Sequence, residues 1–402
     1  MSSLPLPGAE PHEEMGSTAA RRAGESDRAK AEALARDSRD LVDRPLDEAL
    51  SILPECYSDP GFYALEVERL FRRGWICAGR ASQIPNPGDF FCIDMFDEKL
   101  IVVRGEDGAV RALSPVCRHR GAIVAEGAGR ASNFRCPYHK WTYDLGGRLV
   151  KAPLMEPRIV KGGFDLVTFG CEVWLGWIMV NLDGLAEPLA PRLKDLTDAL
   201  ASWRIETMVP LCEPVVYEAE LNWKIACDNQ GESYHLIGPH ALSVLPYADP
   251  RDSVFTSDLA THAKSWFPSH SEAIGPVFGE RLPGIPAEFN GTWSYNVFPN
   301  HLFVVTDDFV VWQHQKIAGV GRFRHEMWVL GYPEIRNNTG MRKAIQDVRN
   351  GVIMVEGEDQ GSFRSVWKGV CSSSARPGPF AKTEMGTWFW QRWLTAALCE
   401  SR

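Results

Sequence analysis

Residues 117–139 read CRHRGAIVAEGAGRASNFRCPYH, and the placing of Cys and His in this stretch decides what the first half of the chain is for. Cys117 and His119 form a C-x-H pair, sixteen residues intervene, and Cys136 and His139 form a C-x-x-H pair. Each pair can aim two ligands at a metal from one loop, and the spacer is long enough for a hairpin that turns the loops face to face. Two readings compete. Structural zinc takes Cys₂His₂ sets in a tetrahedron, and a 2Fe-2S cluster can hold two Cys on one iron and two His on the other. Mixed ligand types within each loop, Gly121 and Pro137 as tight-turn residues, and the lack of a finger helix afterwards favour iron over zinc, whose fingers segregate C-x-x-C from H-x-x-H.

Outward from this segment the text is that of short antiparallel strands. FFCIDMF, KLIVVRG and VRALSPVC alternate with the turn signals PNPGD, FDEK and EDG, and after the ligands WTYDLGGRLVKAP carries a hairpin turn at Gly146-Gly147. Asp59-Pro60 is a helix entry signal before LEVERLFRRGW. The expected organisation is a flexible tail over 1–47, with a helix conceivable between Asp27 and Leu41, a small β domain over 48–175 and a second domain over 176–402. The second half mixes long strands (VYEAELNWKIAC, LFVVTDDFVVWQHQ, FRHEMWVLGY) with helical stretches near 228–244, 337–360 and 378–398, which reads as α+β.

Composition narrows the function classes. A chain of 402 residues with 45% hydrophobic and 24% charged residues can bury two cores. Its net charge of -9 argues against a nucleic-acid surface. No apolar run is long enough to span a membrane, and the amino terminus is unlike a secretory signal, so a cytoplasmic protein is expected. Ten cysteines are too sparse for a disulfide scaffold. Cys77, Cys92, Cys171 and Cys212, set among strand-like residues, read as structural thiols.

A second constellation lies in ELNWKIACDNQGESYHLIGPH, where His235 and His240 stand five residues apart on an expected helix or helix-loop, distorted at Gly238-Pro239. Both imidazoles can reach one ion. Two His and a carboxylate would make a facial triad with open positions on Fe(II), and VEGEDQGSFRSVWKG offers Glu356, Glu358 and Asp359 at the expected start of a helix. The residues alone leave that choice open.

CRHRGA with CPYHKWTYDLGGRL resembles the signature of Rieske non-haem iron oxygenases, the aromatic-ring-hydroxylating dioxygenases and related monooxygenases, and the likeness runs over roughly residues 50–400. The resemblance implies an all-β Rieske domain followed by a helix-grip catalytic domain. It also implies a 2Fe-2S cluster on Cys117, His119, Cys136 and His139, with mononuclear Fe(2+) on His235, His240 and Asp359. Glu232 matches the acidic residue that links a cluster His of one subunit to an iron His of the next, and Asn222, Trp223 and Asn229 match other parts of the pattern. Asn222 and Trp223 are expected to pack, and Asn229 to lie at a pocket edge. Trp367 departs from the family, where Gln is common, which puts a contact behind the ligands in doubt. The implied assembly is a homotrimer.

The implied activity is hydroxylation of a small organic substrate by O₂, including oxidative N- or O-dealkylation. The alternatives are cis-dihydroxylation of an arene and, from another class, a Rieske electron carrier without catalytic iron. No GxGxxG fingerprint follows a strand, so electrons are expected from a separate ferredoxin or flavin reductase. Trp293, Tyr295, Phe298, Phe303 and Trp312 are candidate pocket aromatics, with core packing as the competing reading.

Overall fold

The computed structural model describes residues 25–269 and 291–400. Two compact units divide the described residues, one from Ala78 to Ala186, the other taking residues 25–77 and those from Glu187 onward. The expected boundaries at 48 and 175 are therefore not where the compact units divide. Residues up to Cys77 pack with the second unit because the helical segment Pro60–Phe71 buries Phe62, Leu65, Leu70 and Phe71 there. Asp59 caps this helix by accepting from Phe62 N at 2.8 Å, with Pro60 in its first turn, as the sequence predicts.

The first unit is built from antiparallel hairpins. A seven-stranded sheet follows the order Ile76–Arg80, Trp177–Asn181, Thr168–Trp174, Val110–Leu113, Glu98–Arg104, Asp89–Met95, Ala128–Arg130. A three-stranded sheet joins Phe134–Arg135, Thr142–Tyr143 and Leu149–Lys151. The expected Gly146-Gly147 turn connects the last two. Gly147 has φ +86°, a backbone that L side chains rarely adopt, so the turn favours glycine. Cys77 is buried and Cys92, Cys171 and Cys212 half-buried; burial pushes the Cys92 and Cys171 thiols up to about 12.

In the second unit a sheet runs Val209–Pro210, Arg322–Gly331, Val310–Gly319, His301–Val305, Gly291–Val297, His262–Pro268, Val254–Ser257, with Val215–Ala219 also paired to Arg322–Gly331. The helices Lys224–Gln230, Arg342–Val370 and Met385–Cys399 complete an α+β unit. Gln230 donates to Ser294 Oγ at 2.6 Å and accepts from Gln313 Nε2 at 2.7 Å, so Ser294 and Gln313 mark the sheet face that meets the helix.

Three expectations need correction. The stretch near 228–244 is not one helix: it ends at Gln230 and resumes as a 3₁₀ turn over Tyr234–Ile237. Gly231 lies so close to the last helix that a Cβ would sit 2.7 Å from Thr387 N, and Ser233 N donates to Thr383 O at 2.9 Å, which draws the chain out of the helical path. Glu356, Glu358 and Asp359 are in the middle of the helix Arg342–Val370, not at its start. Within 1–47, Glu25–Val42 is a helix with Ala31, Ala35, Ser38 and Val42 buried, and Trp388 Nε1 donates to Val42 O at 2.8 Å, because small residues at one-turn spacing let it lie close on its neighbours. Residues 1–24 lie outside the described residues.

Candidate metal centres

In the first unit the two ligand loops have matched backbone turns. Cys117 N donates to Ala122 O and Gly121 N returns to Cys117 O, both at 2.9 Å; Cys136 N donates to Trp141 O at 2.8 Å and Lys140 N to Cys136 O at 3.1 Å. Both thiols are buried, 2% exposed, in a cluster with Phe134, Trp141, Tyr143 and Leu149. Both imidazoles are half-buried. The structure thus brings the two predicted imidazoles together and puts both predicted thiols in one buried cluster, with sulfur inward and nitrogen outward. Tyr143 Oη is 3.3 Å from Cys117 Sγ and accepts from Arg118 N at 3.1 Å, which aims its hydroxyl hydrogen at the sulfur. His119 stacks on Trp141 with centroids 4.9 Å apart, and Tyr138 lies over His139 at 3.7 Å.

The geometry fits a cationic group between the loops. His119 Nδ1 and His139 Nδ1 face each other at 3.1 Å. At that separation one Nδ1–H can donate to the other nitrogen, and with both lone pairs turned inward the two can instead hold a cation between them. Desolvation, then the neighbouring His139 and Arg120, hold the His119 pKa below its ordinary value and so favour the neutral, ligating form.

In the second unit His235, His240 and Asp359 present ligand atoms that all lie within 4.8 Å of one another, the one such group among the described residues. His240 Nε2 is 3.1 Å and His235 Nε2 3.9 Å from Asp359 Oδ1. The opposite nitrogens are held by carboxylates: His235 Nδ1 by Glu232 Oε1 at 2.6 Å and His240 Nδ1 by Glu358 Oε2 at 2.7 Å. A carboxylate on each Nδ1–H fixes the tautomer that leaves Nε2 free to ligate, the usual arrangement behind a metal-bound histidine. Glu232 also accepts from His235 N at 3.0 Å, and Asn229 Nδ2 donates to Asp359 Oδ1 at 3.2 Å. Burial lowers the His240 pKa, but Asp359 and then Glu358 outweigh it and the net shift is upward. Burial raises the Glu358 pKa, while Ser243, donating at 2.6 Å, and His240 bring it below the usual carboxylate value.

Glu358, one of the open ligand choices, therefore braces His240, and Glu356 turns the other way, 3.2 Å from His325 Nδ1 with Gln360 donating at 2.7 Å. Asn229, expected at a pocket edge, touches the ligand carboxylate itself. Asn222 and Trp223 are buried as expected. Trp367 lies against Gly321, where a Cβ would meet its ring at 3.0 Å, two turns along the helix from Asp359.

The candidate pocket aromatics are placed as core packing, the stronger of the two sequence readings, would have them. Tyr295, Phe303 and Trp312 are cross-strand neighbours in one row that continues to Trp328, and Trp293 lies on the same face. Side chains alternate along a strand, so this row is opposite the face of Ser294 and Gln313 that meets the helix Lys224–Gln230. Phe298 stacks on Trp393 of the last helix at 4.7 Å. Core packing accounts for them. Sequence periodicity could have paired these residues with one another, but not chosen their face. Among residues the sequence passed over, Ser243 and His325 acquire partners only across long chain separations.

Comparison with known proteins agrees with this geometry. Residues 74–170 match the Rieske [2Fe-2S] domain and residues 211–400 the ring hydroxylating alpha subunit catalytic domain. The glycine betaine monooxygenase oxygenase subunit of Chromohalobacter salexigens is 31% identical over 229 residues, 55% of this chain and 50% of that protein. Choline monooxygenase of Amaranthus tricolor is 30% identical over 203 residues, 49% of this chain and 46% of that protein. The chain spans about half the length of the curated relatives it matches. Among solved structures, a quaternary ammonium Rieske monooxygenase, CntA, aligns with TM-score 0.75 at 22% identity over 89% of this chain and 98% of that one. Naphthalene 1,2-dioxygenase from Rhodococcus sp. aligns with TM-score 0.72 at 18% identity over 92% and 98%. At these identities the structural likeness speaks for the fold alone.

Proposed function

The chain belongs to the Rieske non-haem iron oxygenases, with a Rieske domain and a ring-hydroxylating alpha-subunit catalytic domain, and on that premise we propose that it is the oxygenase component of a multicomponent monooxygenase. The observation that carries the reading is the convergence of His235, His240 and Asp359, each imidazole backed by its own carboxylate. Cys117, His119, Cys136 and His139 would hold the 2Fe-2S cluster, and the triad the mononuclear iron. Bound there, these groups supply single-electron relay and O₂ activation. The residues around them hold the geometry. Glu232 and Glu358 keep the Nδ1 protons, Asn229 fixes one oxygen of Asp359, and the wall of Tyr143 and Trp141 shields the buried thiolates.

The substrate is a small organic molecule oxidised at a C–H bond, with loss of an alkyl group where that carbon bears N or O. The relatives named for choline, glycine betaine and carnitine support monooxygenation over arene dihydroxylation. Electrons come from a ferredoxin or flavin reductase, and the working assembly is a homotrimer in which Glu232 links the His pair of one copy to the iron of the next. No helix among the described residues is long and apolar enough to cross a membrane; a cytoplasmic location is part of this proposal.

Metal analysis tests the reading first. A 2Fe-2S cluster plus one iron gives about three iron atoms per chain, whereas about two would leave an electron carrier, and zinc would end both readings. Oxygen uptake with a generic reductase against N-alkyl, O-alkyl and aryl compounds then tests the reaction.

A further inference from the structure

In the second unit the strands His301–Val305 and Val310–Gly319 lie in the middle of the sheet, where the face that a helix covers should be at least as buried as the other. It is less so. On the face away from the helix Lys224–Gln230, Phe303, Val305 and Val310 are 0% and Trp312 2% exposed. On the face of Ser294 that meets this helix, Val304, Val311 and Gln313 are only half-buried. Asn229 and Gln230, at the end of the helix, are half-buried too. A half-open patch inside a sheet–helix layer is the wall of a hollow, and it adjoins the candidate iron site, because Asn229 donates to Asp359 Oδ1 and Gln230 is the next residue.

The polar groups of that wall are uncharged. Gln230 Nε2 donates to Ser294 Oγ at 2.6 Å, Ser294 Oγ to Gln230 O at 3.2 Å, and Gln313 Nε2 to Gln230 Oε1 at 2.7 Å. This pairing leaves Gln313 Oε1 and the second amide hydrogen of each glutamine without a partner among the described residues. We propose that Gln230 and Gln313 determine specificity, and that the substrate is an uncharged N- or O-alkyl carbonyl compound, an amide or ester, whose carbonyl accepts from these amides while Val304 and Val311 take its apolar part. The inference rests on the proposed function and names the substrate class of that site. A quaternary ammonium is recognised by ring faces, and the row Tyr295, Phe303 and Trp312 lies on the opposite face of the sheet. A hydrocarbon of the same size leaves the amides unpaired, and a site that hydrogen-bonds its substrate rejects an analogue without the matching group.

The test uses the full-length, metal-loaded protein with three probes of similar size: N,N-dimethylpropionamide, choline and toluene. Binding of each is measured by anaerobic isothermal titration calorimetry, and oxygen uptake with a generic reductase gives kcat/KM. The amide is expected to bind at least tenfold more tightly than choline or toluene. Gln230→Met and Gln313→Met keep the length of the side chain and remove its hydrogen bonds, so each should weaken amide binding by about tenfold and leave toluene binding unchanged or stronger. Iron content and the visible cluster spectrum report that each variant keeps its metals, and a purely structural role would weaken all three probes alike. Choline or toluene ahead of the amide on the wild-type protein, no amide binding, or variants that lose the three probes equally would overturn the assignment. The wild-type ranking decides even where a variant fails to fold. Amide that binds as expected but draws no oxygen uptake, in protein without mononuclear iron, would leave the ligand of the hollow as assigned and overturn the proposed function instead.

Discussion

Lys224 opens the helix that ends next to Asn229, and its ammonium lies 2.6 Å from Glu66 Oε1 with both side chains 0% exposed. Trp223 Nε1 donates to the second Glu66 oxygen at 3.4 Å, and the rings of Tyr57, Phe62 and Trp223 surround Lys224 Nζ at 5.3–5.5 Å. At this separation the attraction is about 6 kcal/mol for an effective dielectric near 20. Desolvation of two buried ions takes back several kcal/mol for each, so the net worth of the pair is near zero, but the loss of one partner strands a buried charge at about 3–5 kcal/mol. Burial holds the Glu66 pKa above the usual carboxylate range despite Lys224, which agrees with a large desolvation cost. Lys224→Met is therefore expected to lower the melting temperature of the second unit by roughly 10 °C, at about 2–4 °C per kcal/mol. Glu66→Leu should do the same. The double variant Glu66→Leu/Lys224→Met should return close to wild type, because no charge is left unpaired. Differential scanning calorimetry on all four proteins, with the visible cluster spectrum as a check on the first unit, measures the cycle. A single variant within about 1 kcal/mol of wild type, or a double whose loss equals the sum of the singles, would refute the reasoning.

Asp359→Ala should release catalytic iron and abolish turnover while the cluster spectrum persists, and Glu358→Ala should weaken iron binding by about 10–100-fold without abolishing it; chelator competition reads both, and the reverse ranking would mean that Glu358 is the ligand. Tyr143→Phe removes a hydroxyl from Cys117 Sγ, and a hydrogen bond of about 1 kcal/mol favouring the reduced cluster corresponds to a potential lower by roughly 40 mV in redox titration. The wild-type potential should fall as pH rises through the alkaline range, because an imidazole ligand can lose its second proton. Burial raises Asp228 to about 7 against the donors Tyr57 and Gln391. A raised folded pKa means stability that is fully present below the unfolded value near 4 and lost as pH rises through about 7, so thermal stability should drop between about pH 4 and 7, by an amount on the order of a few kcal/mol, and level off above that. Asp228→Asn should flatten that profile; a wild-type profile that is already flat would show that the carboxyl stays ionised.

The four candidate ligands of the first unit were legible in the sequence because their pattern is local: C-x-H and C-x-x-H need only a tight turn each, and strand-and-turn patterning supplies the hairpin between them. His235 and His240 were legible as a pair for the same reason. Asp359 was not, on residues alone. Three acidic side chains within four positions of one helix point in different directions, and resemblance was needed to choose among them. Packing shows why they differ: Glu356 meets His325 on the sheet, Glu358 meets His240 from behind, and Asp359 faces both imidazoles.

The sequence by itself determined the two-part organisation, the metal-ligand loops, the cap at Asp59 and the turn at Gly147, since each depends on residues within a few positions of one another. Only the tertiary structure decided where the helix after Lys224 stops, that Glu25–Val42 packs instead of trailing in solvent, and that the aromatic row Tyr295, Phe303 and Trp312 takes the sheet face opposite the helix Lys224–Gln230. Period-two alternation shows which strand residues share a face but not which face meets a helix. Helix ends are likewise set by a backbone contact at Gly231 with a segment more than 150 residues away, and no local pattern encodes a partner at that distance.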